Sequence, residues 1–246
     1  MQLSETPLTT TAYDTYFIAS DTAFTDNNDI VTMDIPFRKV KRIDNLVIGM
    51  AGCLQCMVDF SEAIIQYATN VVDDLFIPAS ISERVERDFI AMVNTAGACL
   101  KISKEKDSNK IVIENITSVP TVIGSGSDYV TEGFGTHRSA VVSVLEAMKY
   151  DKYTDGEMKY CSVHREDIHN LEVHPMSDVL KMQVTGVQSE IKAANDFLLK
   201  SENTGKTFRA STREFHVGDP SPLPMDAALS MLKQGLAEAR EYYKKP

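Results

Sequence analysis

The stretch that most constrains the fold is NLVIGMAG, residues 45–52. Its apolar residues do not alternate with polar ones, so both faces of the strand are expected to be buried, and a glycine closes it. A helical pattern follows at once. LQCMVDFSEAIIQYATNVVDDLF, from Leu54 to about Phe76, repeats apolar residues at three- and four-residue spacing, with Pro78 as the expected stop. A buried strand running into an amphipathic helix calls for a layered domain.

The flanking segments extend that pattern. TTTAY and YFIASD alternate as strands about a tight turn at Asp14 and Thr15, and NDIVTMDI and RKVKRID add further strands. Ser82 stands before a charged turn and an apolar stripe, SERVERDFIAMVNTAG, which predicts a second helix. GACLKIS and KIVIENI flank a polar loop as a hairpin, PTVIGSGSDY reads as a strand entering a turn, residues 129–149 as a helix and GEMKYCSVH as a strand. This order predicts an α+β domain over residues 9–174. Residues 175–246 change register, from a mixed segment through a turn-rich one to an amphipathic helix, and read as a C-terminal extension.

Composition excludes some functions. With 246 residues, 43% of them apolar, the chain can bury a large core, and its net charge of −10 leaves no basic footprint for nucleic acid. No stretch has the apolar length to span a membrane, and the N-terminus lacks signal-peptide character, so a cytoplasmic protein is expected. Four cysteines form no disulfide framework. Cys53 and Cys56 make a CxxC whose second half is missing. His164, His169 and His174 stand in no recognised ligand spacing with Cys99 or Cys161, so no metal or cofactor is expected. The CxxC reads as two small core residues one helical turn apart.

Six polar or glycine-bearing motifs occur in order along these elements: LTTTAY, ASDTAFT, FRKVKRI, GMAGC, IGSGSDY and DKYTDG. Together they resemble the proteasome β-subunit and HslV family of N-terminal-nucleophile hydrolases, over roughly residues 8–165 by the coarse boundaries used here. The resemblance implies a four-layer αββα sandwich. It also implies a threonine nucleophile, Thr9 or Thr10, with Asp21 and Lys39 beside it and Thr25 pairing with substrate. Gly52 falls on the residue whose N–H forms the oxyanion hole, Ser125 on the active-site serine, and Asp151 and Thr154 on its supporting pair.

The residue types suit that chemistry. A threonine hydroxyl needs a base, and in this family the base is the free α-amine of the same residue, which titrates near neutrality. Asp21 is expected to hold Lys39 charged, and the Gly52 N–H to stabilise the oxyanion. Activity then requires cleavage before the nucleophile, making residues 1–8 a propeptide or N-terminal extension. Counting back from the turn sets Asp21 opposite the neighbourhood of residue 8, which favours Thr9.

The resemblance further implies a peptide or unfolded-protein substrate and a homo-oligomeric ring. An AAA+ unfoldase would be a separate chain, since this one has no P-loop. The alternative is a catalytically inactive protein of the same fold with an assembly or partner-binding role.

Overall fold

The computed structural model describes residues 10–95, 97–125, 127, 139–151, 153–164 and 176–244. Among these, two antiparallel sheets and the helices around them make a mixed α+β fold. The first sheet has the order β11-β2-β1-β10-β13, where β1 is Thr10–Tyr13, β2 Phe17–Ser20, β10 Thr121–Gly124, β11 Lys159–Ser162 and β13 Glu214–His216. The second runs β14-β9-β8-β7-β6-β12-β3-β4, with β5 also on β6. Its members are β3 Phe24–Asp26, β4 Val31–Thr32, β5 Val40–Ile43, β6 Leu46–Cys53, β7 Phe89–Asn94, β8 Cys99–Lys104, β9 Ile111–Asn115, β12 Phe208–Ala210 and β14 Ser221–Pro222. The helices are α1 Leu54–Ala68, α2 Ala79–Ser82, α3 Ala140–Tyr150, α4 Met176–Glu202, α5 Met225–Gly235 and α6 Ala237–Tyr243.

β6 is buried on both faces, as its unbroken apolar run predicts. Toward the first sheet, a Cβ built on Gly49 would meet Ile18 Cγ2 at 2.5 Å and Thr11 Cγ2 at 2.9 Å, so only glycine lets β1 and β2 approach this closely. On its other face, Met50 Sδ lies 3.9 Å from Ser61 Oγ of α1. α3 covers β1 and β2 through a small cluster in which Ala12, Ala19 and Val122 meet Ala140, Val144 and Ala147. α1 packs on β6 and β12, and α4 and α6 pack on α1.

Several expectations need correction. The second helix expected from Ser82 onward does not form: α2 stops at Ser82, and FIAMVN is β7, paired on both sides by β6 and β8 and buried throughout. A short apolar run fits a doubly covered strand as well as a helical stripe, and here the sheet takes it. α1 ends at Ala68 rather than near Phe76, because Asn70 turns left-handed (φ 59°) and the Val71 N–H bonds back to the Gln66 carbonyl at 2.9 Å, a Schellman-type stop. The segment read as mixed is one long helix, α4, and the last helical pattern divides into α5 and α6 at Leu236.

The C-terminal segment is not an appendage. β12 inserts between β6 and β3, β13 pairs with β10, and β14 pairs with β9, so residues 208–222 supply strands to both sheets. The hairpin reverses one residue later than expected. The Asp14 carboxylate accepts the N–H groups of Tyr16 and Phe17 at 2.8 and 2.7 Å, and Thr15 takes a left-handed φ of 80°. Thr11 therefore pairs with Ser20, which brings Asp21 opposite Thr10, two residues from the expected register.

Candidate active site

At the end of β2 the chain leaves the sheet, and Asp21 turns its carboxylate inward beneath the start of β1. Oδ1 accepts the Thr10 N–H at 3.0 Å and Lys39 Nζ at 2.6 Å; Oδ2 accepts the N–H groups of Ala23 at 3.2 Å and Asp155 at 3.4 Å. Lys39 reaches this point from just before β5. It also donates to the Ala23 carbonyl at 2.8 Å. Both side chains have no solvent exposure. Burial pushes the Asp21 carboxyl up and the Lys39 ammonium down from their ordinary values, and their mutual attraction opposes both shifts. Pairing was expected to hold Lys39 charged. Burial works against that charge, and so eases a proton off the amine.

A second set meets β1 from the other side. Thr10 Oγ1 lies 2.7 Å from Thr154 Oγ1, and Thr154 donates to Asp151 Oδ2 at 2.6 Å, as Ser125 also does. Thr154 has one proton and gives it to the carboxylate, so Thr10 is the donor in the first bond. The result is a directed chain from Thr10 through Thr154 to Asp151, with Ser125 sharing the same acceptor. These side chains are buried, and the chain is held by the Tyr153 N–H on Asp151 Oδ1 at 3.1 Å.

The sequence-selected residues Thr10, Asp21, Lys39, Ser125, Asp151 and Thr154 thus converge on one end of β1. Thr9 lies outside the described residues. The hydroxyls that follow it are already engaged, Thr10 with Thr154, and Thr11 with Ser20 Oγ at 2.8 Å and the Met50 carbonyl at 3.3 Å.

Gly52 and Thr25 sit differently from the others. Both pair with β12: Thr25 is in register with Arg209, and Gly52 with Ala210. Gly52 has a φ of 105°, and a Cβ there would meet the Asp88 carbonyl oxygen at 2.5 Å. Gly52→Ala is expected to cost roughly 2 kcal/mol or more in denaturant unfolding, from the backbone strain and the clash together. A variant as stable as the parent would show that the backbone at residue 52 is free to relax.

Sequence reasoning missed several contributors. Asp155 supplies a backbone donor to Asp21. Ser20 Oγ bonds the Thr10 carbonyl at 2.9 Å, and Thr22 Oγ1 accepts the Glu157 N–H at 2.9 Å, which ties the chain just after Asp155 to the Asp21 turn. β12 was the largest omission; its only signal was the apolar spacing of Phe208 and Ala210 inside a turn-rich segment. An open cleft of about 610 Å³ borders the site, lined by Thr22, Met33, Phe37, Gly156 and Glu190 among others. No protein-family model and no curated protein matches the chain. Among the described residues, no helix is long and apolar enough to cross a membrane.

Proposed function

We propose that the chain is an N-terminal-nucleophile hydrolase of the proteasome and HslV type, a threonine-type peptidase in a closed form. One observation carries this reading: a fully buried Lys39–Asp21 pair and the Thr10–Thr154–Asp151–Ser125 hydroxyl chain meet at the start of β1. A purely structural role gives no obvious reason to place both Lys39 and Asp21 there. The succession of α3, the two sheets and α1 supports a four-layer αββα sandwich. Thr9 is the assigned nucleophile, since the hydroxyls of Thr10 and Thr11 are engaged.

In the working form, cleavage before Thr9 frees its α-amine, which takes the hydroxyl proton as Oγ1 attacks the substrate carbonyl. Lys39, its charge favoured by Asp21 against the effect of burial, supplies positive charge beside the attacking oxygen, and Asp21 fixes its position. The Gly52 N–H stabilises the tetrahedral oxyanion, a contribution of about 3 kcal/mol where comparable donors have been deleted. The amine then protonates the leaving group, and water releases the acyl enzyme. Peptide substrate, a homo-oligomeric ring and a separate AAA+ unfoldase complete the reading.

One observation favours a second reading, a catalytically inactive member of the fold with an assembly or partner-binding role: β12 already pairs with Thr25 and Gly52. A small electrophile separates the two, because it needs the nucleophile and not the strand groove. A protein engineered to begin at Thr9 is expected to add a threonine-directed electrophile at that residue, read by peptide mass mapping, and its Thr9→Ala form is not. Folded proteins starting at Thr9 and at Thr10 that both stay unmodified would end the peptidase reading.

A further inference from the structure

Residues 208–222 leave the second sheet after β12, join the first at β13 and return to the second at β14, so one stretch of chain straps the two sheets together. Its middle is held by a charged cluster, none of whose members belongs to the candidate site. Lys101 of β8 is almost fully buried, and its Nζ bonds Glu214 of β13, Glu114 Oε2 of β9 at 2.7 Å and His216 Nε2 of β13 at 3.3 Å. His216 Nε2 also lies 2.9 Å from Glu214 Oε2, and its Nδ1 lies 3.0 Å from Thr121 Oγ1 of β10. Thr121 gives its proton to the Val119 carbonyl at 2.9 Å, so the ring donates to it from Nδ1 and leaves Nε2 facing Lys101 and Glu214. Burial alone raises the Glu214 carboxyl, but bonds from His216 and Lys101 outweigh it and hold the group below its ordinary value.

We propose that this segment moves as one conformational unit, a strap latched at Lys101, whose release withdraws β12 from between Thr25 and Gly52 and loosens the backbone beside Ser125. What release does for substrate rests on the hydrolase reading; the strap and its latch do not. The coupling runs through a short link. Ser211, Thr212 and Arg213 alone separate the end of β12 from the start of β13, so Ala210 and Glu214 are joined by at most about 14 Å of extended chain. The link is itself fastened: Thr212 Oγ1 donates to Asp88 Oδ2 at 2.9 Å, and the Arg213 carbonyl accepts the Gly124 N–H at 2.7 Å. Gly124 stands opposite Thr10 in the register of β1 and β10, and Ser125 follows it.

The strands of the strap are only two or three residues long, so side-chain anchors decide whether it stays down. A cleft of about 580 Å³ opens beside the latch. The strap supplies Thr212 and Glu214 to its lining, and the hairpin of β8 and β9 supplies Lys101, Ser103 and Glu114. Water reaches the ion cluster from this side and can take over both charges as they part. Once Lys101 lets go of Glu214, β13 lifts from the edge of β10. The link has too little slack to leave Arg213 on Gly124 and Ala210 on Gly52, so β12 follows.

The test is hydrogen exchange of the full chain at neutral pH, read by mass spectrometry on peptides that carry β12, β13 and Gly124, with β7 as the internal reference. Glu214→Gln removes the charge that Lys101 holds and keeps the shape of the side chain; Lys101→Met removes the ammonium and keeps its stem. Each is expected to speed exchange in β12, β13 and Gly124 together by at least about tenfold, with β7 within about twofold of the parent. Faster exchange in β13 that left β12 or Gly124 at the parent rate would overturn the single unit. Equal acceleration of β7 in Glu214→Gln would make the cluster a support of the whole fold and not a latch, and unchanged exchange in that variant would show that the cluster does not hold the strap. Where Lys101→Met fails to fold, Glu214→Gln decides alone. None of these readouts needs catalysis, so a failed latch leaves the hydrolase reading standing, and a Thr9 that takes no electrophile leaves the latch standing.

Discussion

Lys39→Met is expected to cost about 3–5 kcal/mol of folding stability at neutral pH, because it leaves the Asp21 carboxylate buried without its counter-charge. Equilibrium denaturation measures this. Asp21 keeps its backbone donors from Thr10, Ala23 and Asp155, so the start of β1 stays attached while the charge goes uncompensated. Adding Asp21→Asn to the same variant removes the charge and keeps one acceptor oxygen, which serves the donors on one side of the carboxylate and not both, and should recover part of the loss. A single-variant cost under about 1 kcal/mol, the size of an exposed ion pair, would mean that the two groups are not buried together.

The direction of the pH dependence follows from the sign of the shift. Burial raises the Asp21 carboxyl above its ordinary value of 3.8 even with Lys39 present, and removing the lysine takes away the attraction that opposes the rise. A carboxyl raised on folding gives its full contribution below the unfolded value and loses it as pH climbs through the folded one. The penalty of Lys39→Met should therefore be smallest near pH 4 and grow toward neutrality. A penalty that grew on acidification instead would contradict the assignment.

How far the sequence reached depended on the distance between partners. β5, β6, β8 to β11 and the two strands of the first hairpin announce themselves by local alternation or by an unbroken apolar run, and these strands formed where expected, although the turn between β1 and β2 did not. The polar residues beside β1 were picked out by the motif resemblance, and in the structure each sits at the end of such an element: Asp21 after β2, Lys39 before β5, Ser125 after β10. What failed was anything decided by a distant partner. FIAMVN has no local feature that distinguishes a central strand from a helix, and β6 and β8 make that choice. Three-residue β12 has almost no local signal; it exists because β3 and β6 leave a gap that a strand can fill. The hairpin register moved with the Asp14 side chain, which propensity does not count.

Loosening β12 in a chain that begins at Thr9 is expected to raise peptide hydrolysis at least tenfold. On the hydrolase reading, a substrate strand would lie between Thr25 and Gly52, and Arg209 and Ala210 hold those registers. A peptide can bind only in the fraction of molecules in which β12 has left, so its apparent affinity is lowered by that fraction. Phe208 anchors the strand: it is buried, and its ring lies 5.0 Å from that of Phe197 on α4. Phe208→Ala removes an anchor of about 3 kcal/mol, and every 1.4 kcal/mol of that loss spent on unseating multiplies the open fraction by ten. Ala210→Pro, which deletes a ladder N–H opposite Gly52 without touching the core ring, is a second route to the same state. Each variant is compared with the parent for folding by circular dichroism, for electrophile capture at Thr9 and for turnover of an extended peptide. Faster turnover with unchanged capture would identify β12 as a built-in occupant of the substrate groove. Unchanged turnover in both folded variants would show that substrate does not use the Thr25–Gly52 position. Loss of capture in a folded variant would make β12 part of the working site instead of its cover.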